Sequence, residues 1–268
     1  MSKIIKIGIS PCPNDTFIFD ALANQRIDCP FEFEFVYEDV QTLNEMTTRG
    51  ELDVAKISFG NLLDVQKDYR LLQSGGALGY GCGPLLLRGE EPFYDPTKAT
   101  VLPGAKTTAR VLFNFWLDRT GQKSAGEEFL QFDHLYDMIR KHPSTQGVVI
   151  HESRFTYEKD MLQLVQDLGE FWESETSCPI PLGGIVASRK LGWDMTDEIN
   201  HWVRESLVFA WDYPQVSRDF IKVKAQIADD DIIDQHIQTY VNDFTLGDSP
   251  EGEEAVEVFK GVLASLKL

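Results

Sequence analysis

Two rhythms of hydrophobic positions run along this chain. Early segments alternate with the two-residue period of strands. Residues 3–10 read as a first strand around Ile4, Ile5, Ile7 and Ile9. Residues 31–37 (FEFEFVY) alternate cleanly, and residues 53–58 (DVAKIS) form a third candidate. Between them lie short helical patterns at residues 16–23, 42–49 and 61–66, with Gly50 as a fitting C-cap. A second block repeats the mixture. It has strands at 100–102, 148–150, 162–165 and 182–187. One helix starts near Thr107 and carries Val111, Leu112, Phe115 and Trp116 on one face. Another runs through Phe171 and Trp172 after a turn at Asp167-Leu168-Gly169. From Met195 onward the period is helical. Trp202, Val203, Leu207, Val208 and Trp211 mark a helix stopped at Pro214. Residues 231–244 give another, and residues 255–266 a last one striped by Val256, Phe259, Val262 and Leu263.

This order predicts an α/β protein of two lobes. Lobe one is residues 1–89 plus 186–268, and lobe two is residues 90–185. The chain crosses between them twice, and the polar, proline-bearing residues 89–96 mark a boundary. A cleft between such lobes is a default ligand site. The glycine-rich stretch QSGGALGYGCG (73–83) lacks the spacing and following helix of a dinucleotide fingerprint. Its alternating glycines point to a bend into the second lobe or to close backbone approach, to a strand or to a ligand.

Composition narrows the partners. Hydrophobic residues make up 43% of 268, and charged residues 25%, as in ordinary globular proteins. The net charge of -18 disfavours a nucleic-acid partner. Cys12, Cys29, Cys82 and Cys178 include no CxxC pair and no zinc-type cluster, so reduced thiols in a cytoplasmic protein are expected. The opening MSKIIKIGIS is too short and too interrupted by lysine for a secretory signal, and no run could span a bilayer. No membrane partner is expected, and the oligomeric state stays open.

Candidate chemistry gathers at predicted strand ends, where open α/β sheets bind ligands. GVVIHESRFTY (147–157) delivers His151 at the end of a β-branched run, with Glu152 next to it. Histidine exchanges a proton near neutral pH, which suits a general base. A strand-end histidine bonded to backbone is the alternative. Lys56 and Ser58 share one face of the third strand. Lys56 either reaches the surface or meets an anion, since an unpaired buried ammonium is costly. Thr107 and Thr108 stand at a helix start, able to cap it or to help hold a carboxylate. In SPCPNDTF, Asn14 or Asp15 is a natural N-cap for a helix beginning at Thr16, making residues 14–16 a further candidate anion site. His134 and His142 read as surface or boundary residues, and His201 and His236 as structural or solvated.

SPCPNDTF, KISFGNL, GALGYGCGPLL, PGAKTTA, GVVIHESRFTY, DLGEFW and PIPLGG together resemble the 1,4-dihydroxy-6-naphthoate synthase family of the futalosine route to menaquinone. The similarity covers nearly all of the chain up to about residue 190. It implies a periplasmic-binding-protein-like (type II) fold. It also implies a carbon–carbon lyase acting on a carboxylated small molecule, cyclic dehypoxanthinyl futalosine, without metal or other cofactor. His151 matches the family's base; Lys56, Ser58, Thr107 and Thr108 match its polar strand-end and helix-start positions. Glu152 or a backbone carbonyl would fix the tautomer of His151. Three readings compete: a solute-binding protein for an organic anion, a chorismate dehydratase of the sister family, and a regulatory ligand sensor.

Overall fold

A computed structural model describes residues 4–151, 153–266 and 268. The chain forms two compact units, residues 1–79 with 181–252, and residues 80–180 with 253–268.

The first unit opens with β1 (Ile5–Ile9), α1 (Pro13–Ala23), β2 (Phe33–Tyr37), α2 (Val40–Thr48), β3 (Val54–Ser58), α3 (Leu62–Val65), β4 (Tyr69–Leu71) and β5 (Ala77–Gly79). The second contains β6 (Leu85–Arg88), β7 (Thr100–Leu102), α4 (Thr108–Thr120), β8 (Glu127–Phe129), α5 (Phe132–Lys141), β9 (Gln146–Val149), α6 (Ser153–Thr156), β10 (Gln163–Asp167) and α7 (Leu168–Thr176). The chain returns through β11 (Ile180–Ser188) to α8 (Trp193–Asp212), α9 (Arg218–Ala225), α10 (Asp230–Tyr240), α11 (Asp243–Leu246) and α12 (Pro250–Leu266). The pattern expected at 231–244 is thus two helices, the second started by an Asn242 capping box.

In the first unit the sheet order is β2-β1-β3-β11-β4, with β5 also on β11. β1 runs parallel to β2 and β3, and β11 antiparallel to β3 and β4. The apolar positions of β1 (Ile5, Ile7 and Ile9) join Val54, Ile185 and Ala187 against Phe17 and Ile18 of α1 and Ile199, Val203 and Leu207 of α8. Residues 13–22 of α1 are buried on every face, which fits a helix packed by α8, α9 and α10 at once.

In the second unit the order is β10-β6-β9-β7-β8, with β7 parallel to β8 and β9. Leu85, Leu87, Val101 and Val149 pack with Leu135 and Ile139 of α5. Trp172 lies 5.4 Å from Phe115 and 5.5 Å from Phe259, ring centre to ring centre. That apolar contact groups residues 253–268 with this unit. β6 belongs to this unit's sheet, so the chain enters it at residues 79–80, ahead of the polar 89–96 stretch.

The alternating glycines resolve into distinct duties. Gly81 takes a φ of +63°, which favours glycine. Gly83 meets backbone: a Cβ there would collide with Cα of Gly169. Gly169 also sits in the first turn of α7, so the turn expected at 167–169 is a helix start capped by Asp167. Gly83→Ala is therefore expected to destabilise the protein by roughly 1–3 kcal/mol in equilibrium urea unfolding. A change below about 0.5 kcal/mol would show that the backbones separate freely. Among the described residues, no helix is long and apolar enough to cross a membrane.

Candidate functional site

β1 and β3 are parallel neighbours, so their carboxyl ends share one edge of the first sheet. From β1 the chain runs through Ser10 to α1, whose N-cap is Cys12 with Pro13 behind it, not Asn14 or Asp15 as expected. Proline suits the first helical position because its φ is preset and its missing N–H is not needed there. Asp15 thereby falls inside the first turn, and its carboxylate is used elsewhere. Oδ2 accepts from the Ser10 hydroxyl at 2.7 Å and the Ser10 N–H at 3.2 Å. Oδ1 accepts from Asn14 Nδ2 at 2.8 Å and pairs with Lys56 Nζ at 2.8 Å.

Lys56 thus meets an anion, and the anion is the protein's own. Its ammonium also reaches the Gly75 carbonyl at 3.4 Å. Both partners are buried, with side chains 6% and 1% exposed. A buried pair in contact presents a near-neutral dipole, so Lys56 offers a hydrogen-bond donor rather than an uncompensated charge. The Thr16 hydroxyl serves its own helix, donating to the Cys12 and Pro13 carbonyls. Ser58 is buried, and its N–H donates to Asn44 Oδ1 at 3.0 Å. Asn44 in turn accepts from Asn61 through its carbonyl, locking the end of β3. His236, on α10, is buried with Nε2 3.0 Å from Asn14 Oδ1, so it is structural and not solvated.

In the second unit β7 and β9 are also parallel neighbours, with Thr100 opposite Gln146. Beyond β7, Thr107 caps α4: its hydroxyl accepts from Arg110 N–H and donates to the Gly104 carbonyl at 2.8 Å. Thr108 is buried as the first residue of that helix. Arg110 holds the preceding loop, bonding the Ala105 carbonyl and pairing with Glu127 at 2.8 Å. Beyond β9 stands His151, half-buried in a turn with a φ of +59°. Its ring meets Phe132 edge-on at 4.9 Å.

Arg154 fixes the segment behind His151. Its guanidinium bonds the Gly83 carbonyl at 2.5 Å and pairs with Asp167 at 2.8 Å. The other Asp167 oxygen caps α7 through Gly169 and Glu170. Tyr136, one turn after Phe132 on α5, donates to Asp160 at 2.7 Å; burial, with Asp160 beside it, pushes the phenol up to about 12. Glu152 lies outside the described residues. His134, His142 and His201 are exposed. Burial likewise pushes the Cys82 thiol up to about 12, so it is no nucleophile at neutral pH.

Each unit therefore brings its predicted residues to the carboxyl ends of two adjacent parallel strands. The second unit sets an imidazole and a helix start beyond neighbouring strands, which suits proton removal and carboxylate binding. In the sequence Asn44, Phe132 and Arg154 carry no assigned role, and His236 reads there only as structural or solvated. Arg154 stands within the IHESRFTY stretch and Phe132 in the aromatic, acidic segment before it. No local signal links His236 to Asn14 across 222 residues.

Among the described residues, no group of three or more His, Cys, Asp or Glu side chains is placed to hold a metal ion. The sequence family described as menaquinone biosynthesis matches residues 5–265. A 1,4-dihydroxy-6-naphthoate synthase of Streptomyces coelicolor is 40% identical, with 97% of this chain and 91% of that protein covered. One from Thermus thermophilus is 40% identical, with 95% and 92% covered. Protein AF1704 from Archaeoglobus fulgidus has a similar structure: TM-score 0.91, 26% identity, 98% and 97% of the two chains covered. The alkanesulfonate-binding protein SsuA from Xanthomonas axonopodis pv. citri, at TM-score 0.73 and 11% identity over 100% and 95% of the chains, shares the fold alone. The fold is periplasmic-binding-protein-like, and the chain belongs to the 1,4-dihydroxy-6-naphthoate synthase family of menaquinone biosynthesis.

Proposed function

We propose that this protein is a carbon–carbon lyase that converts cyclic dehypoxanthinyl futalosine to 1,4-dihydroxy-6-naphthoate, with His151 as the general base. The supporting observation is the place of His151, at the carboxyl end of β9 beside the strand that leads into the Thr107 helix start. Neutral His151 removes a proton from the substrate. The electron pair released forms a new double bond and breaks the adjacent carbon–carbon bond in the ribose-derived part. The carbon left with that pair takes back the proton from His151, and aromatisation of the new ring drives the step. A small sugar-derived fragment leaves. As written, the step consumes no oxidant.

Substrate contacts are assigned residue by residue. Thr107 and Thr108 hold the carboxylate through N–H groups at the α4 start, where the helix dipole favours an anion, while the Thr107 hydroxyl keeps the turn closed on Gly104. In the first unit, Ser58, Lys56 and Asn14 supply donors, while Asp15 and Thr16 keep the α1 start in shape. The protein works as a cytoplasmic enzyme without metal or nucleotide cofactor.

A mass-resolved turnover assay with the purified protein and no added cofactor tests this. The expected result is 1,4-dihydroxy-6-naphthoate from cyclic dehypoxanthinyl futalosine and no reaction with chorismate. If the compound binds but no product forms, the chain is a binding protein on an enzyme's scaffold. Turnover of chorismate instead would assign it to the sister activity.

A further inference from the structure

We infer that His236 is a positioning residue for substrate binding, acting by fixing the carboxamide of Asn14. The inference rests on the proposed reading of Asn14 as a substrate contact and adds a residue from the far end of the chain. Asn14 Nδ2 donates to the Asp15 carboxylate at 2.8 Å, an oxygen that can only accept. That contact orients the amide, so Oδ1 is the atom 3.0 Å from His236 Nε2. An amide oxygen cannot donate, hence Nε2 carries the proton. His236 is 1% exposed, its ring held 4.6 Å from Tyr240 on the same helix, so the donor has little freedom to leave.

The result is a continuous buried chain: His236, Asn14, Asp15, Lys56 and the Gly75 carbonyl. Each link fixes the next. With Oδ1 turned to His236 and one N–H turned to Asp15, the second N–H of Asn14 has a single direction. It suits a carboxylate or carbonyl oxygen on the ligand and disfavours a donor. Without His236 the amide keeps its bond to Asp15 but loses the donor on Oδ1, so it is held at one end only and the direction of its second N–H loosens. The loss falls on substrate affinity, not on proton removal.

Steady-state kinetics of four proteins test this: wild type, His236→Leu, His236→Gln and Asn14→Ala. The expected result is a KM about tenfold higher for His236→Leu with kcat within about threefold, and a similar KM for Asn14→Ala. Glutamine places an amide donor near the position of Nε2, so His236→Gln should return KM to within about threefold of wild type. A side chain that only fills space would not be rescued by the donor. If Asn14→Ala raises KM and His236→Leu does not, or if glutamine fails where leucine fails, the role given to His236 is wrong while the role of Asn14 stands. If Asn14→Ala leaves KM unchanged, the reading of Asn14 as a substrate contact falls, and the inference with it. Should the leucine protein not fold, imidazole ¹⁵N signals of the wild type decide. A pyrrole-type Nε2 that moves on adding 1,4-dihydroxy-6-naphthoate supports the inference. A pyridine-type or unmoved Nε2 overturns it.

Discussion

His151→Asn is expected to lower kcat by about 10³-fold while leaving product affinity within a few-fold of wild type, since a positioned general base contributes roughly 10²–10⁴. Asparagine is the informative replacement because His151 has a φ of +59°. Most side chains resist that left-handed conformation, but asparagine adopts it readily. The turn and the Arg154–Asp167 pair behind it should therefore survive. The imidazole lost is the one packed on Phe132, so the site keeps its shape and loses its base. Single-turnover rates together with equilibrium binding of 1,4-dihydroxy-6-naphthoate separate the two effects. Wild-type rates in the variant would remove His151 from the mechanism. Lost binding with an unchanged single-turnover rate would make it a binding group.

The second large effect concerns stability. Lys56→Met is expected to cost about 3–5 kcal/mol in equilibrium urea unfolding, the usual range for removing one partner of a buried ion pair. Methionine keeps most of the aliphatic stem but leaves Asp15 without its cation. The cost comes from the uncompensated carboxylate more than from any net strength of the pair, because both charges were already stripped of water. The double variant Lys56→Met/Asp15→Asn should therefore recover at least half of the loss. If the single variant unfolds within about 1 kcal/mol of wild type, the pair is not the anchor of the β1 and β3 ends. A double variant no better than the single one would show that the Ser10 bonds to Asp15 carry the stability instead.

Local pattern carried much of this fold. Strict alternation marked β1 and β2, the apolar stripe marked α4, and Pro214 marked the end of α8. Thr107 was readable as a cap because capping is satisfied within three residues. The misreadings share one cause, a partner distant in sequence. Asp15 looked like an N-cap, yet Lys56 and Ser10 draw its carboxylate back across the β1 turn. Gly169 looked like a turn residue, yet it is small because Gly83 lies against it. His236 looked idle because Asn14 is 222 residues away. The strand-end positions of Lys56 and His151 followed from periodicity; which groups they face did not.

The burial of α1 has a kinetic consequence. Binding groups commonly ride on loops that open locally at little cost. Asn14 and Asp15 instead sit on a helix with no solvent face, packed by three other helices. Their side chains are shielded by those helices, so they are expected to loosen only when α1 separates from its neighbours. His151 is only half-buried, in a turn beyond β9, so a smaller local opening is expected to free it. Warming the protein is then expected to loosen the proposed base before it disturbs α1, so that activity fades with temperature below the melting of the fold.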